Sequence, residues 1–160
     1  MLVVFIHPRC SCSRATLGEL DRLIASASRN VDTYILFERP IGMPPGWERA
    51  YLWNTAQHIS GAHVLTDING IEARRFGAQT SGQTYLYSQT GRLEFSGGIT
   101  PMRGHYGDSA GRYAILSALA GHTSSYRSTK VYGCALFNAA VVPARKASIR
   151  QRRPRIKIRG

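Results

Sequence analysis

The segment FIHPRCSCSR, residues 5–14, places two cysteines between a strand-like run and a helix-like run. Residues 2–6 are apolar and rich in β-formers, and the proline two positions later disfavours helix in the residue before it. After the cysteines, apolar residues recur at helical spacing to about Ser26, and either Ser11 or Ser13 is placed to cap that helix. We therefore predict a strand, a cysteine loop and a helix.

Strand-like and helix-like segments alternate through the rest of the chain. The expected elements are a strand at 31–37, a helix at 47–59, a strand at 63–65, a helical turn at 71–77, strands at 83–87 and 91–95, and a helix at 110–120 capped by Ser109. In outline we predict an α/β fold of βαβαββα order, with a mixed central sheet and helices on both faces.

The basic charge of the chain is concentrated at its end. The 160 residues suffice for one domain, and the net charge is +12. Residues 145–160 contribute eight basic side chains and no acidic one, and they contain no aromatic ring for stacking on bases. We expect one domain at 1–137 and a disordered basic tail at 138–160. Nucleic-acid binding is not expected, and the tail offers at most weak attraction to an anionic membrane.

The cysteines favour thiol chemistry over a structural scaffold. Three cysteines are too few for a disulfide framework, and the start of a helix stabilises a thiolate. Arg9, Arg14 and a protonated His7 would add positive charge beside Cys10. We predict that Cys10 is the nucleophile and is more exposed than Cys12. The alternative is a pair of inert, buried structural cysteines.

Five segments carry a resemblance to a known family. They are HPRCSCSR (7–14), RFGAQTSGQ (75–83), FSGGI (95–99), GHYGD (104–108) and the dipeptide Gly133-Cys134. Together they resemble thioredoxin-like proteins, and among these the RedB-type branch. The resemblance implies a thioredoxin-like fold, thiol redox activity and an amino-terminal membrane anchor that places the domain outside the cytoplasm. The chain itself shows no targeting segment, which predicts a cytoplasmic protein as written.

Two positions depart from the usual thioredoxin pattern. Ser13 stands where the resolving cysteine of a Cys-x-x-Cys motif is expected, and Cys12 comes one residue early. A disulfide between Cys10 and Cys12 would close a very small, strained and easily reduced ring. Gln83 stands where the family places a cis-proline, so its amide either presents donors to a substrate or makes a structural hydrogen bond.

Cys134 follows the last predicted helix and has two possible roles. It either returns to the site as a resolving thiol or fills an apolar niche. A metal site is the competing interpretation, because three thiolates with His7 or His105 would suit copper(I) or zinc. His105 lies in a glycine-rich loop that lacks the spacing of a phosphate or dinucleotide motif, so no cofactor is expected.

These observations predict a thiol–disulfide oxidoreductase without a cofactor. Cys10 attacks, Cys12 or Cys134 resolves, and the partner is a protein or small-molecule thiol or disulfide. His7, Arg9, Ser13, Arg14, Gln83 and His105 are the expected supporting or substrate-binding residues. The alternative function is copper binding, or metallochaperone activity, by the same thiols.

Overall fold

The computed structural model describes residues 1–137, so the predicted basic tail at 138–160 lies outside the described residues. The elements are β1 (Leu2–Ile6), α1 (Ser13–Ser26), β2 (Thr33–Arg39), α2 (Tyr51–Gln57), β3 (Ala62–Ile68), α3 (Ile71–Phe76), β4 (Gln83–Tyr87), β5 (Leu93–Gly97) and α4 (Ala110–Leu119). Within 1–137, no helix has the length and apolar character that crossing a membrane would require.

The five strands form one mixed sheet in the order β3-β2-β1-β4-β5. β1 pairs in parallel with β2, and β2 pairs in parallel with β3. β4 runs antiparallel to β1, and β5 runs antiparallel to β4. The carboxyl ends of the three parallel strands therefore meet at one edge of the sheet, and the cysteine loop follows β1 at that edge.

The sheet has apolar side chains on both faces, and helices cover them unequally. Alternate residues of β1 enter two different apolar clusters, with Val4 in one and Phe5 in the other. Side chains of α1, α2 and α4 pack in the first cluster. The second cluster is closed by α3 and by Leu136, which lies after the last helix. Burial of β1 on both faces fixes the loop that follows it against the core.

The predicted α/β class and mixed sheet are confirmed, but the βαβαββα outline is wrong. The observed order is βαβαβαββα, because the outline counted one strand too few and left out the helical turn predicted at 71–77, which is α3. β3 is an edge strand that pairs with β2 over seven residues although most of its side chains are partly exposed, so its apolar signal covers only its middle. α3 has six residues, fewer than two turns, and the amides of Glu72 and Ala73 in its first turn donate to the Asp67 carboxylate.

Candidate functional site

The loop between β1 and α1 is a series of tight turns that positions Cys10 and Cys12. The Cys10 amide donates to the His7 carbonyl at 3.1 Å, and the Ser13 amide donates to the Cys10 carbonyl at 3.0 Å. Cys12 occupies the N-cap position of α1 without making a side-chain cap. The predicted caps by Ser11 or Ser13 are therefore wrong. The buried Ser13 hydroxyl turns inward and lies 2.6 Å from the Ser81 hydroxyl instead.

A short pairing interaction brings the distant Cys134 back to this loop. The Ser81 amide donates to the Cys134 carbonyl, and the Leu136 amide donates to the Gln79 carbonyl, each at 2.8 Å. Gly133 permits this approach, because a Cβ at that position would lie 1.9 Å from the Ser81 carbonyl oxygen. The glycine before the cysteine is thus a requirement of the backbone contact.

The three cysteines form one cluster. The sulfurs of Cys10 and Cys134 are hydrogen-bonded at 2.7 Å, and the Cys134 amide donates to the Cys10 sulfur at 3.3 Å. All three sulfurs, that of Cys12 included, lie within 4.8 Å of one another. Cys10 and Cys134 are free thiols. Their sulfur–sulfur distance exceeds the length of a disulfide bond, about 2.05 Å, by only about 0.7 Å.

The expected order of exposure is wrong. Cys10 is 1% exposed and Cys12 is 8% exposed, whereas Cys134 is partly exposed. The sequence places Cys10 on a loop and Cys12 at a helix start, which favours the opposite order. Cys10 is buried because the returning segment at 133–136 lies on it, and that contact joins residues 124 positions apart.

Burial and hydrogen bonding act in opposite directions on Cys10. Burial raises the pKa of this thiol, but donors outweigh it and the net pKa is lowered. The donors are the Cys134 and Ser13 side chains and the backbone amides of Cys134 and Cys12. Once Cys10 ionises, Cys134 holds the shared proton. That hydrogen bond, followed by burial and nearby thiolate charge, raises the pKa of Cys134 to about 11, with Arg103 opposing.

Arg9 and His7 lie beside the cysteines, but His7 is not a protonated partner. The Arg9 guanidinium lies 4.6 Å from the centre of the Trp47 ring, and its backbone amide donates to His7 Nδ1 at 3.2 Å. Burial, and then the charge of Arg9, lower the pKa of His7. The imidazole is therefore neutral near pH 7. The backbone amide of His7 anchors the loop by donating to the Ser81 hydroxyl.

The remaining predicted residues lie around the cluster without contacting its sulfurs. Arg14 is exposed on the first turn of α1, and its carbonyl accepts a bond from the Tyr106 hydroxyl. The Gln83 side-chain amide donates to the Ser96 hydroxyl at 3.1 Å, so it makes a structural hydrogen bond, the second of the two predicted roles. His105 is exposed, and its Nδ1 lies 2.8 Å from the Arg103 carbonyl.

Sequence reasoning missed Ser81 and Arg103. Ser81 joins the Ser13 hydroxyl, the His7 amide and the Cys134 carbonyl, so it links all three segments of the site. Arg103 approaches Cys12, with its Nη1 3.9 Å from the sulfur. Ser81 belongs to the RFGAQTSGQ segment that carries the family resemblance, and this resemblance is the feature of the sequence that could have identified it. No spacing or periodicity pointed to Arg103.

Comparisons with known proteins support the fold and assign no activity. No protein-family model matches the chain, and no curated protein matches it significantly. A hypothetical protein of Sinorhizobium meliloti 1021 has a similar structure, with a TM-score of 0.67, 20% identity, and coverage of 87% of this chain and 80% of that one. An uncharacterized conserved protein from Geobacillus kaustophilus is also similar, with a TM-score of 0.68, 16% identity, and coverage of 88% and 78%.

Proposed function

We propose that this chain is a thioredoxin-like thiol–disulfide oxidoreductase, related to the RedB-type branch, whose redox pair is Cys10 and Cys134. The observation that carries the proposal is the 2.7 Å contact between their sulfurs, together with the opposite directions of their pKa values. A lowered pKa favours the attacking thiolate, and a neighbouring thiol with a raised pKa retains its proton until it is needed.

The reaction of the reduced protein with a disulfide has two exchanges. The Cys10 thiolate attacks one sulfur of the substrate, the substrate S–S bond breaks, and the leaving thiolate takes a proton from water. Cys134 then loses its proton to solvent and attacks the Cys10 sulfur, which releases the second substrate thiolate. The protein dithiol has lost two electrons and the substrate disulfide has gained them. A dithiol reductant returns the protein to its starting state.

The architecture is consistent with this assignment. The site follows a central strand and precedes the first helix, and an antiparallel hairpin completes the sheet beside that strand. The backbone amides of Cys12 and Cys134 donate to the Cys10 sulfur, which favours a thiolate. Ser13 occupies the position of the usual resolving cysteine, and Cys134 supplies the second thiol from the other end of the domain.

A soft metal ion is the second candidate, because three thiol sulfurs lie within 4.8 Å of one another. Thiolates prefer copper(I) and zinc, and a three-sulfur site would suit a metallochaperone. Neither His7 nor His105 belongs to that cluster, so within residues 1–137 the ligand set would be the three cysteines alone. This candidate needs all three thiols, whereas the redox proposal needs two.

Trapping a mixed disulfide tests the redox proposal. Purified Cys134→Ser protein, reduced and then mixed with a small aromatic disulfide, is expected to retain one half of that disulfide on Cys10. Wild type should instead release both halves and form a Cys10–Cys134 bond. Cys12→Ser is the matched control and should behave as wild type. Intact mass and peptide mapping distinguish these outcomes.

A Cys12–Cys10 disulfide in the wild-type protein would contradict the assignment of Cys134. Stoichiometric copper or zinc in protein purified under reducing conditions, lost in Cys12→Ser as well as in Cys134→Ser, would favour the metal function instead. The two functions therefore differ in what Cys12 contributes.

A further inference from the structure

A hollow of about 340 Å³ opens beside Cys10, between the cysteine loop and the start of α2. Its lining includes Cys10 and neither of the other two cysteines. Its lining also includes the buried Leu52 and the largely exposed Tyr51. The volume is within the range of small-molecule sites, about 300–1,000 Å³. A substrate bound in this hollow would lie against the cysteine loop, next to Cys10.

The charged residues of the hollow all carry the same sign. Arg9 and Arg14 are exposed and line it, and no acidic side chain from residues 1–137 does. Within residues 1–137, neither guanidinium has a carboxylate within 4.0 Å. By contrast, Arg112 and Arg39 are both paired with buried glutamates. The two arginines at the hollow are therefore available to a ligand.

One of these arginines is also held in place. The Arg9 guanidinium lies over the Trp47 ring, which restricts it without neutralising its charge. Its positive charge contributes, after burial, to the lowered pKa of His7, and this places its field at the cysteine loop. Arginine binds carboxylates through paired N–H donors, so a fixed guanidinium beside an apolar wall fits a small ligand with a carboxylate near its sulfur.

We infer that the substrate of this site is a small anionic disulfide, of the kind formed by oxidised cysteine-containing peptides. One half of the disulfide occupies the hollow with its carboxylates on Arg9 and Arg14, and its sulfur faces Cys10. The inference rests on the proposed redox function. The exchange follows the steps given above, with the anionic half held in the mixed disulfide until Cys134 displaces it.

The test compares three small disulfides with the reduced full chain at pH 7. These are oxidised glutathione, which is anionic, hydroxyethyl disulfide, which is neutral, and cystamine, which is cationic. Each rate is divided by the rate of free 2-mercaptoethanol with the same disulfide, which removes differences in leaving group. At low ionic strength we expect the normalised rate for oxidised glutathione to exceed that for hydroxyethyl disulfide at least fivefold. Cystamine should be the slowest.

The double variant Arg9→Gln/Arg14→Gln should lose most of this ratio. Arg92→Gln, which removes one charge from the exposed end of the hairpin, should keep it. The basic residues at 145–160 are present in every protein, so their attraction for anions cancels in the comparison. Thermal unfolding of each variant confirms that the fold is retained.

The outcomes separate this inference from the proposed function. If all three disulfides react at equal normalised rates, or if the double variant keeps the preference, the anionic substrate is wrong while the redox function stands. If none of them reacts through Cys10, the redox function itself fails.

Discussion

Two buried acidic groups in this molecule have pKa values that are shifted in opposite directions. Cys10 is 1% exposed and Glu38 is 4% exposed, yet the pKa of Cys10 is lowered and that of Glu38 is raised to about 7. Burial raises the pKa of both groups. Cys10 receives hydrogen bonds from two side chains and two amides, whereas Glu38 Oε2 has no hydrogen-bond partner within residues 1–137. Hydrogen-bond donors, and not burial, therefore distinguish Cys10 as the group that the fold stabilises in its negatively charged form.

The surroundings of Glu38 make the contrast clearer. Glu38 on β2 pairs in register with Asp67 on β3, so two carboxyl groups lie side by side at the edge of the sheet. After burial, the charge of Asp67 is the next cause of the raised pKa of Glu38, and Arg74 opposes it. Burial also raises the pKa of Asp67. Its oxygens accept hydrogen bonds from the backbone amides of Glu72 and Ala73, which only partly oppose that rise. This pair favours one protonated carboxyl group.

Replacing Glu38 with glutamine should have the largest effect, and it concerns stability. The folded protein retains the Glu38 proton between about pH 4.5 and 7, whereas the unfolded chain has lost it, so the free energy of unfolding falls as the pH rises through this window. The shift corresponds to roughly 3 kcal/mol. Glu38→Gln should therefore be more stable than wild type at pH 8 by up to that amount, with little difference at pH 4.5.

Chemical denaturation at pH 4.5, 6 and 8 measures this effect. Glu94→Gln, on the hairpin strand β5, is the control for removal of a carboxylate far from Asp67. Part of the slope should remain in Glu38→Gln because the pKa of Asp67 is also raised. Equal stability of wild type and Glu38→Gln at pH 8 would contradict the raised pKa. Cys10 contributes in the opposite sense, since its lowered pKa adds stability as the pH approaches 9.

The cysteine cluster and the Glu38–Asp67 pair also differ in how far the sequence predicts them. Cys10 and Cys12 were found because the strand, the cysteines and the helix are contiguous, and a local pattern is sufficient there. Cys134 was a candidate only, because its contact with Cys10 depends on how the segment after α4 pairs with residues 79–81. Glu38 gave no signal, since a polar residue near the end of a strand is ordinary.

The errors in the fold prediction have the same origin. The core elements are predicted by their apolar patterns, which are a continuous apolar run in β1 and helical spacing in α1. The caps proposed at Ser11 and Ser13 failed because Ser13 bonds to Ser81, a residue 68 positions away. The extent of β3 failed because pairing with β2, and not its own side chains, determines it. Local patterns predict elements, and tertiary partners decide their ends and polar contacts.

Removing one hydrogen-bond donor to the Cys10 sulfur should have an effect of intermediate size. It should bring the pKa shift of Cys10 closer to the upward shift of Glu38. Ser13→Ala deletes a side-chain hydrogen bond that lowers the pKa of Cys10. The pKa should rise, and each unit of rise reduces the thiolate fraction below that pKa about tenfold. We expect Cys10 to react with limiting iodoacetamide three- to tenfold more slowly at pH 6 in the variant, and at nearly the wild-type rate above pH 9.

Peptide mapping after alkylation at a series of pH values measures the Cys10 profile. Ser11→Ala is the matched control, because Ser11 is exposed on the same loop and does not contribute to the shift. In wild type, Cys10 should be labelled before Cys12 and Cys134. If Cys134 is labelled first, or if Ser11→Ala shifts the profile as much as Ser13→Ala, the hydrogen-bonding argument for Cys10 fails.

The smallest expected effect concerns Arg103, a positive side chain that lowers the pKa of Cys134. Arg103 is exposed, and interactions of exposed charges are weak and screened by salt. In Arg103→Gln the resolving thiol should ionise less readily, so the mixed disulfide on Cys10 should decay about two- to threefold more slowly at low ionic strength. The difference should disappear in about 1 M salt, where the Debye length is about 3 Å. Stopped-flow measurement of the second thiol released records the decay, and Arg92→Gln provides the control for removal of a distant charge. An equal slowing at low and high salt would mean that Arg103 acts through the shape of its loop, and the electrostatic link between Arg103 and Cys134 would then be wrong.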